Sequence, residues 1–365
     1  MTHIPKVSVI MAVYNGGPFL QAAIDSILAQ SFRDFEFVIV DDGSTDGSRQ
    51  LVLSYRDPRI RLIANDSNRG LTASLNRALG QARGVYVARQ DADDISEPDR
   101  LARQVAYLET NQYVALLGTC YVKIHEDGHT IGHRQMPIDS TRIRWCLLFF
   151  CPFAHTSAMF RRALVLAKVG QYDESYKYAQ DYDLWSRIAS ALPVANLRRH
   201  AVRVRIRSSS MTATHENRLT EGPRISIRNL APLLHWTDAT EEQNIADYFQ
   251  MHRLLYGAHR DMPPADVVRA MRYILELIPA FCHRNRLRDP ESRQLRAAVD
   301  ARLRWRLMTI VGRWSDVEYA AIRGLLTGRT HRRWLDLLAL PGARQAFVRL
   351  RGPEVLSALE PRRPL

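Results

Sequence analysis

Short apolar runs alternate with helical periodicities along the first hundred residues. Val7 to Val13 (VSVIMAV) is unbroken and rich in β-branched side chains, the pattern of a strand buried on both faces. It breaks at Tyr14-Asn15-Gly16-Gly17-Pro18, which is turn chemistry, and Leu20, Ile24, Ile27 and Leu28 then mark one face of a helix. Phe35 to Val40 predicts a second strand running into Asp41-Asp42-Gly43-Ser44-Thr45-Asp46-Gly47, where Ser44 or Thr45 is placed to cap a helix carrying Leu51, Val52 and Tyr55. Ile60 to Ile63 reads as a third strand. Asn68-Arg69-Gly70 opens a helix with Leu71, Leu75, Ala78 and Leu79. Val85 to Ala88 is a fourth strand, and it delivers the chain into Arg89-Gln90-Asp91-Ala92-Asp93-Asp94. Ser96-Glu97-Pro98-Asp99 then looks like a helix start.

Strands that alternate with helices imply right-handed crossovers and a mostly parallel sheet, in which ligands bind outside the carboxyl ends of the strands. Tyr14-Asn15, Asp41-Asp42 and Asp91 to Asp93 all lie at such ends, so three polar clusters converge on one edge. Carboxylates crowded as Asp91, Asp93 and Asp94 are repel one another. They suit either an acidic turn ahead of a helix or a ligand set for a hard divalent cation that in turn holds a phosphate. Neither G-x-G-x-x-G nor G-x-x-x-x-G-K-[ST] follows the first strand, which excludes the ordinary dinucleotide and P-loop readings.

The segments VSVIMAVYNG, FVIVDDGSTDGS, NRGLTASLNRALGQARGVYVARQDADD and EPDRLARQ resemble the nucleotide-sugar half of the family-2 glycosyltransferases, densely from Val7 to about Tyr107 and more loosely to about Thr212. The resemblance implies an α/β GT-A fold. It implies that Ala12, Val13 and Tyr14 frame a nucleobase and that Asp42 accepts a hydrogen bond from a base N–H, as uracil N3 would supply. Asp91, the first carboxylate of a D-x-D motif, would hold the ribose or a metal-bound water, and Asp93, the last, would ligate Mg²⁺ or Mn²⁺; both are candidate metal residues. Asp94 would orient donor-sugar hydroxyls. Asp41 and Asp46 have a plainer reading as turn formers, the one favoured for Asp46. Arg89 is a surface charge, a partner of a carboxylate or a contact of the sugar-phosphate.

Further along, Tyr178-Ala-Gln180-Asp181-Tyr-Asp183-Leu-Trp185-Ser-Arg187-Ile188 resembles the family's Glu-Asp-Tyr-x-Leu-Trp segment, in which the Asp deprotonates the acceptor. That role maps to Asp181, with Gln180 where the family has Glu. Asp183 faces elsewhere if the stretch is helical. The plain alternative is that Asp181 caps a helix whose buried face is Leu184, Trp185 and Ile188. Pro152 to Arg161 resembles the segment beneath the acceptor site, which makes His155 and Trp185 acceptor-site candidates. Val204 to Thr212 resembles a loop that closes over the donor. Arg207 stands where relatives commonly have His; it cannot ligate a metal but it can neutralise a diphosphate, and His215 lies close behind.

The chain of 365 residues has room for two domains. The reading is a GT-A domain over 1–218, with a nucleotide-sugar half 1–119 and an acceptor half 120–218, and an all-helical region over 219–365. Four cysteines without paired metal spacing, no signal peptide and no membrane-length apolar run predict a reduced, cytoplasmic setting. Residues 1–119 hold 12 basic and 14 acidic groups, net −2, and the remainder hold 39 and 24, net +15, of the overall +13. After Lys177 every basic group is Arg, a compositional bias that argues against reading the charge as nucleic-acid binding. In the helical region Pro263-Pro264 opens a helix with Val267, Val268, Met271, Ile274, Leu275 and Ile278 apolar, which Pro279 should kink or end. A stripe of Leu303, Leu307, Ile310, Val311 and Trp314, with Arg302, Arg306 and Arg313 off it, fits a packed helix better than a membrane-surface helix. Trp305, Trp314 and Trp334 suit either. A peripheral position at the inner face of the membrane is thus a second expectation.

These features predict an inverting, metal-dependent glycosyltransferase that takes a nucleotide-sugar donor, UDP-linked by the resemblance, to a glycan or lipid-linked acceptor in surface polysaccharide synthesis. A nucleotidyltransferase is the enzymatic rival, against which stands the absence of basic residues from Tyr14 to Pro18. A catalytically inactive nucleotide-binding or scaffold module is the other, kept open by Gln180 and Arg207.

Overall fold

The computed structural model describes residues 3–207, 221–234, 236, 241–257, 259 and 261–311. Thr212, His215, Arg313, Trp314 and Trp334 lie outside the described residues. Contacts divide the chain into two units, Met1–Ile225 and Ser226–Leu365. The division falls inside a helix rather than at 218, because Ile225 is fully buried in the core of the first unit.

Four strands form the parallel part of the sheet in the order β3-β2-β1-β4: β1 (Val7–Val13), β2 (Phe35–Asp41), β3 (Ile60–Ala64) and β4 (Tyr86–Arg89). Alternation along β1 sorts its side chains between two cores. Val7, Val9 and Met11 pack with α1 (Leu20–Leu28) and α4 (Arg100–Thr110), while Ile10 and Ala12 pack with α3 (Leu71–Gln81). Burying each such side chain stabilises the fold by about 1.5–3 kcal/mol, which is why a strand lying between two helical layers reads as continuously apolar.

Beyond β4 the sheet becomes mixed. β8 (Met159–Arg161) pairs antiparallel with β4 and with β6 (Leu116–Ile124). β9 (Val194–Arg205) runs parallel to β6 and antiparallel to β5 (Ile95–Ser96), and β7 (Thr130–Arg134) makes a hairpin with β6. β9 thereby carries Arg205 back to the segment just after β4. The remaining helices of this unit are α2 (Ser48–Ser54), α5 (Ser140–Cys146), α6 (Arg162–Lys168) and α7 (Gln180–Ala191), and α8 (Glu221–Leu234) spans the division.

Two local expectations need correction. Neither Ser44 nor Thr45 caps α2; Gly47 does, at φ 90, because Ser44 Oγ and the Thr45 N–H are both spent on Asn15. Pro279 does not end its helix, since α10 (Pro264–Arg284) runs straight through it. The second unit also holds α9 (Glu241–Leu255) and α11 (Asp289–Val311). Val267, Met271, Ile274 and Ile278 of α10 and Leu295, Val299, Leu303 and Leu307 of α11 are buried, as the packed-helix reading requires. Arg306 is not off the stripe: it is buried and donates to the Gly257 carbonyl. Among the described residues no helix is long and apolar enough to cross a membrane.

Candidate active site

The carboxyl ends of β1, β2 and β4 open onto one edge, and hydrogen bonds stitch the loops there. After β1, Asn15 takes φ 50, and its N–H donates to Ser44 Oγ at 3.0 Å. Gly16 N donates to Ser48 Oγ and Gly17 N to Asp46 Oδ2, both at 2.9 Å. Asp46 is a turn former in this geometry, binding the β1 loop to the start of α2. Asp41 is buried and ion-paired to Arg49 at 3.1 Å. Ala12 and Val13 have their side chains in the core, which leaves Tyr14, 52% exposed, as the ring of this trio that a planar base can reach.

Asp42 is buried and already well partnered. Its Oδ1 accepts from Asn65 Nδ2 at 2.5 Å and from the Arg69 N–H at 2.9 Å, and Oδ2 accepts from the Gly70 N–H at 2.9 Å. The carboxylate therefore organises the N-terminus of α3, a task that composition and spacing did not reveal. Asn65, also missed, sits one residue beyond β3 and so was open to the same strand-end argument that picked out Asp42.

Of its three readings, Arg89 is not a surface charge, and it does pair with a carboxylate. It is fully buried, and its Nη2 lies 2.5 Å from Asp91 Oδ1. Its Nη1 donates to the carbonyls of Ile10, at 2.9 Å, and Gln90. Its Nε donates to His155 Nε2 at 3.1 Å. The His155 ring thus carries its proton on Nδ1, which stands 3.6 Å from Asp91 Oδ1. Burial, then the Arg89 charge, push His155 down to about 3, so it stays neutral and its free nitrogen is occupied. Trp185, an acceptor-site candidate also read as part of the buried helix face, lies in the core. It is fully buried, packed edge-on to Tyr172 and tilted against His155, because an indole on the inner face of α7 is worth more in the core than at a rim.

The three carboxylates after β4 differ. Burial raises Asp91, but Arg89, His155 and Arg100 outweigh it and hold the group below the usual carboxylate range. Asp93 is raised, by burial and then by the Asp91 charge, against the pull of Arg207. Asp94 is raised well above the ordinary range, by burial and by its two neighbours. Asp94 is buried and accepts the Arg205 N–H at 2.8 Å, so it pins β9 instead of standing open to a sugar. Arg207 Nη2 lies 3.1 Å from Asp93 Oδ2. The ion pairs of Asp91 run through Oδ1 and that of Asp93 through Oδ2. The second oxygen of each carboxylate lies outside these ion pairs and is the hard oxygen donor that Mg²⁺ or Mn²⁺ requires. The residues present fit the ion.

Asp181 opens α7. Burial raises it to about 6, the nearby Asp91 charge adding to this and the Tyr182 N–H opposing it. Its own charge bears on Cys151 and Tyr172, which places it by the His155 and Asp91 group. Asp183 is buried and held by Arg187 at 2.7 Å, facing away as expected. Gln180 is buried with Oε1 unpartnered among the described residues; a Glu there would be a second buried carboxylate next to Asp181.

Glu221 is a residue the sequence reading passed over. Its carboxylate accepts three successive backbone N–H groups, Lys177 at 2.9 Å and Tyr178 and Ala179 at 2.8 Å each, and so seals the approach to α7. Glu221→Ala should cost about 1–3 kcal/mol and lower the melting temperature by several degrees. A melt within a degree of wild type would show that water replaces the carboxylate without loss.

The family model for Glycosyl transferase family 2 matches residues 8–166. EpsE of Bacillus subtilis (strain 168) is 39% identical over 187 residues, which is 50% of this chain and 66% of that protein. An uncharacterized glycosyltransferase of Haemophilus influenzae is 31% identical over 233 residues, 60% of this chain and 72% of its own length. Among solved structures, S. aureus TarS 1-349 in complex with UDP-GlcNAc superposes with a TM-score of 0.55 at 19% identity, covering 94% of this chain and 92% of that 1-349 chain, a likeness of fold.

Proposed function

This chain belongs to glycosyltransferase family 2, and from that premise we propose that it moves a sugar from a nucleotide-sugar donor to a hydroxyl of a glycan or lipid-linked acceptor, with inversion at the anomeric carbon. The observation that carries the reading is the pairing of two kinds of carboxylate at one sheet edge. Asp91 and Asp93 each keep one oxygen outside their ion pairs for a cation, and Asp181 is raised to about 6, where a carboxylate is a competent base at neutral pH. Asp93 and Asp91 would hold a Mg²⁺ or Mn²⁺ ion, which when bound would neutralise charge on the departing diphosphate.

The chain's own residues do the rest. Tyr14 offers its exposed ring to the base, where stacking is worth about 1–3 kcal/mol. Arg89 fixes the Asp91 oxygen that faces inward, leaving the other for ligands. Arg207 can exchange Asp93 for a phosphate oxygen, since a guanidinium binds either bidentately. Asp181 takes the acceptor proton as the hydroxyl oxygen attacks the anomeric carbon from the side opposite the diphosphate. His155, neutral and engaged by Arg89, buttresses Asp91 and takes no proton. Transfer takes place on the cytoplasmic side, where such donors are held. For a lipid-linked acceptor the basic helical unit would meet the anionic inner leaflet.

A panel of UDP-, GDP- and dTDP-sugars tests this, with nucleoside diphosphate release measured with Mg²⁺, with Mn²⁺ and with EDTA. We expect release from one nucleotide class, abolished by EDTA. Nucleotide binding without release from any donor would favour the inactive binding module. Pyrophosphate release from a nucleoside triphosphate with a sugar phosphate would favour a nucleotidyltransferase.

A further inference from the structure

The β6–β7 hairpin turns through His125-Glu126-Asp127-Gly128-His129, with Gly128 at φ 92, where a side chain would be strained. His125 N donates to His129 O at 2.9 Å and Gly128 N to His125 O at 3.0 Å, so the two histidines flank the turn as a pair. Their rings stack with centroids 4.9 Å apart. Asp127 lies between them, Oδ1 2.6 Å from His129 Nδ1 and Oδ2 3.3 Å from His125 Nδ1. One ligand atom from each residue lies within 4.8 Å of the other two.

We propose that this turn is a second metal site, separate from the carboxylate cluster and selective for borderline divalent ions of the Zn²⁺ class. Two imidazoles and one carboxylate are the donor set such ions prefer, while the all-oxygen cluster after β4 suits Mg²⁺ or Mn²⁺. The three side chains already share one face of the turn, so the ion displaces His–Asp contacts without ordering a loop. All three are exposed, which leaves room for water to complete a four-coordinate shell. The site is also tied to the reaction centre. Arg205 donates from Nη1 to the His125 and Glu126 carbonyls at 3.1 and 2.7 Å, and from Nε to the Asp93 carbonyl at 3.0 Å. An ion at the tip therefore steadies the turn that Arg205 joins to the Asp93 backbone.

Calorimetric titration of Zn²⁺ into the untagged full chain, in saturating Mg²⁺, tests the proposal. One equivalent should bind in the micromolar range. His129→Ala should weaken it by at least about 100-fold, and Asp93→Asn should leave it unchanged. Substitution at an exposed turn spares the fold, which a matched melt verifies. Three results would overturn the proposal: no heat at millimolar Zn²⁺, binding that survives His129→Ala, or binding lost in Asp93→Asn.

Discussion

Asp181→Asn should lower transfer to acceptor by about 10²–10⁴-fold while leaving donor nucleotide affinity within twofold or so of wild type. The substitution keeps the size of the side chain and its place at the start of α7. It removes a carboxylate near the Asp91 group that is raised to about 6 and, among the described residues, has no arginine ion pair. Asp183→Asn is the control: its carboxylate belongs to Arg187, so its loss should reduce stability and spare the chemistry. The pH dependence has a definite sign. The base works when deprotonated, so the wild-type rate should rise as pH climbs through about 6 and then level off. Stability runs the other way. A carboxyl raised in the folded state costs nothing below its unfolded value of about 3.9 and its full penalty above the folded value, so the penalty grows between about pH 4 and 6. A shift of this size corresponds to at most about 3 kcal/mol, less here because Asp181 keeps part of its hydration. Asp181→Asn should therefore melt above wild type at pH 8 and level with it near pH 4. An active Asp181→Asn with a dead Asp183→Asn would move the base by two residues. If both remain active, the base lies elsewhere.

The elements of the nucleotide-sugar half were legible because the central strands are buried along their whole length and mostly apolar, as Val7–Val13 and Phe35–Asp41 are, with Ser8, Glu36 and Asp41 the polar exceptions. The alternation of strands and helices implied a mostly parallel sheet, and the rule that ligands gather at strand ends picked out Asp42, Asp91 and Asp93 before any contact was known. Contacts between side chains distant in sequence were not legible. Nothing in the spacing of Arg89 and His155 shows that one donates to the other across 66 positions. Glu221 lies more than forty residues from the backbone it seals. Its partners are N–H groups, which leave no mark on composition. Trp185 carried two readings from the sequence, acceptor site and buried helix face. Large aromatics serve acceptor platforms and cores alike, and only burial separates the two. The antiparallel strands β5 and β8, two and three residues long, are too short to carry a periodicity of their own.

Asp93→Asn should abolish turnover without unfolding the protein. Its electrostatic position argues for both halves of that outcome. Burial and the Asp91 charge press on the Asp93 carboxylate, and Arg207 only partly relieves it. A group kept under such strain is one whose partner arrives from solution, and removing its charge lightens the repulsion within the cluster. Charge neutralisation by an ion is worth several kcal/mol to a departing diphosphate, so a loss of about 10³-fold or more is expected. A readout apart from activity separates this from simple damage. Wild-type protein should gain thermal stability from UDP together with Mn²⁺, by more than from either alone, since each supports binding of the other. In Asp93→Asn the gain from Mn²⁺ should vanish, while the melt without ligands equals or exceeds wild type. A variant that keeps both near-normal turnover and the Mn²⁺-dependent shift would remove Asp93 from the metal site. A variant that melts several degrees lower without ligands would show that the Arg207 pair, not the ion, is what Asp93 is there to hold.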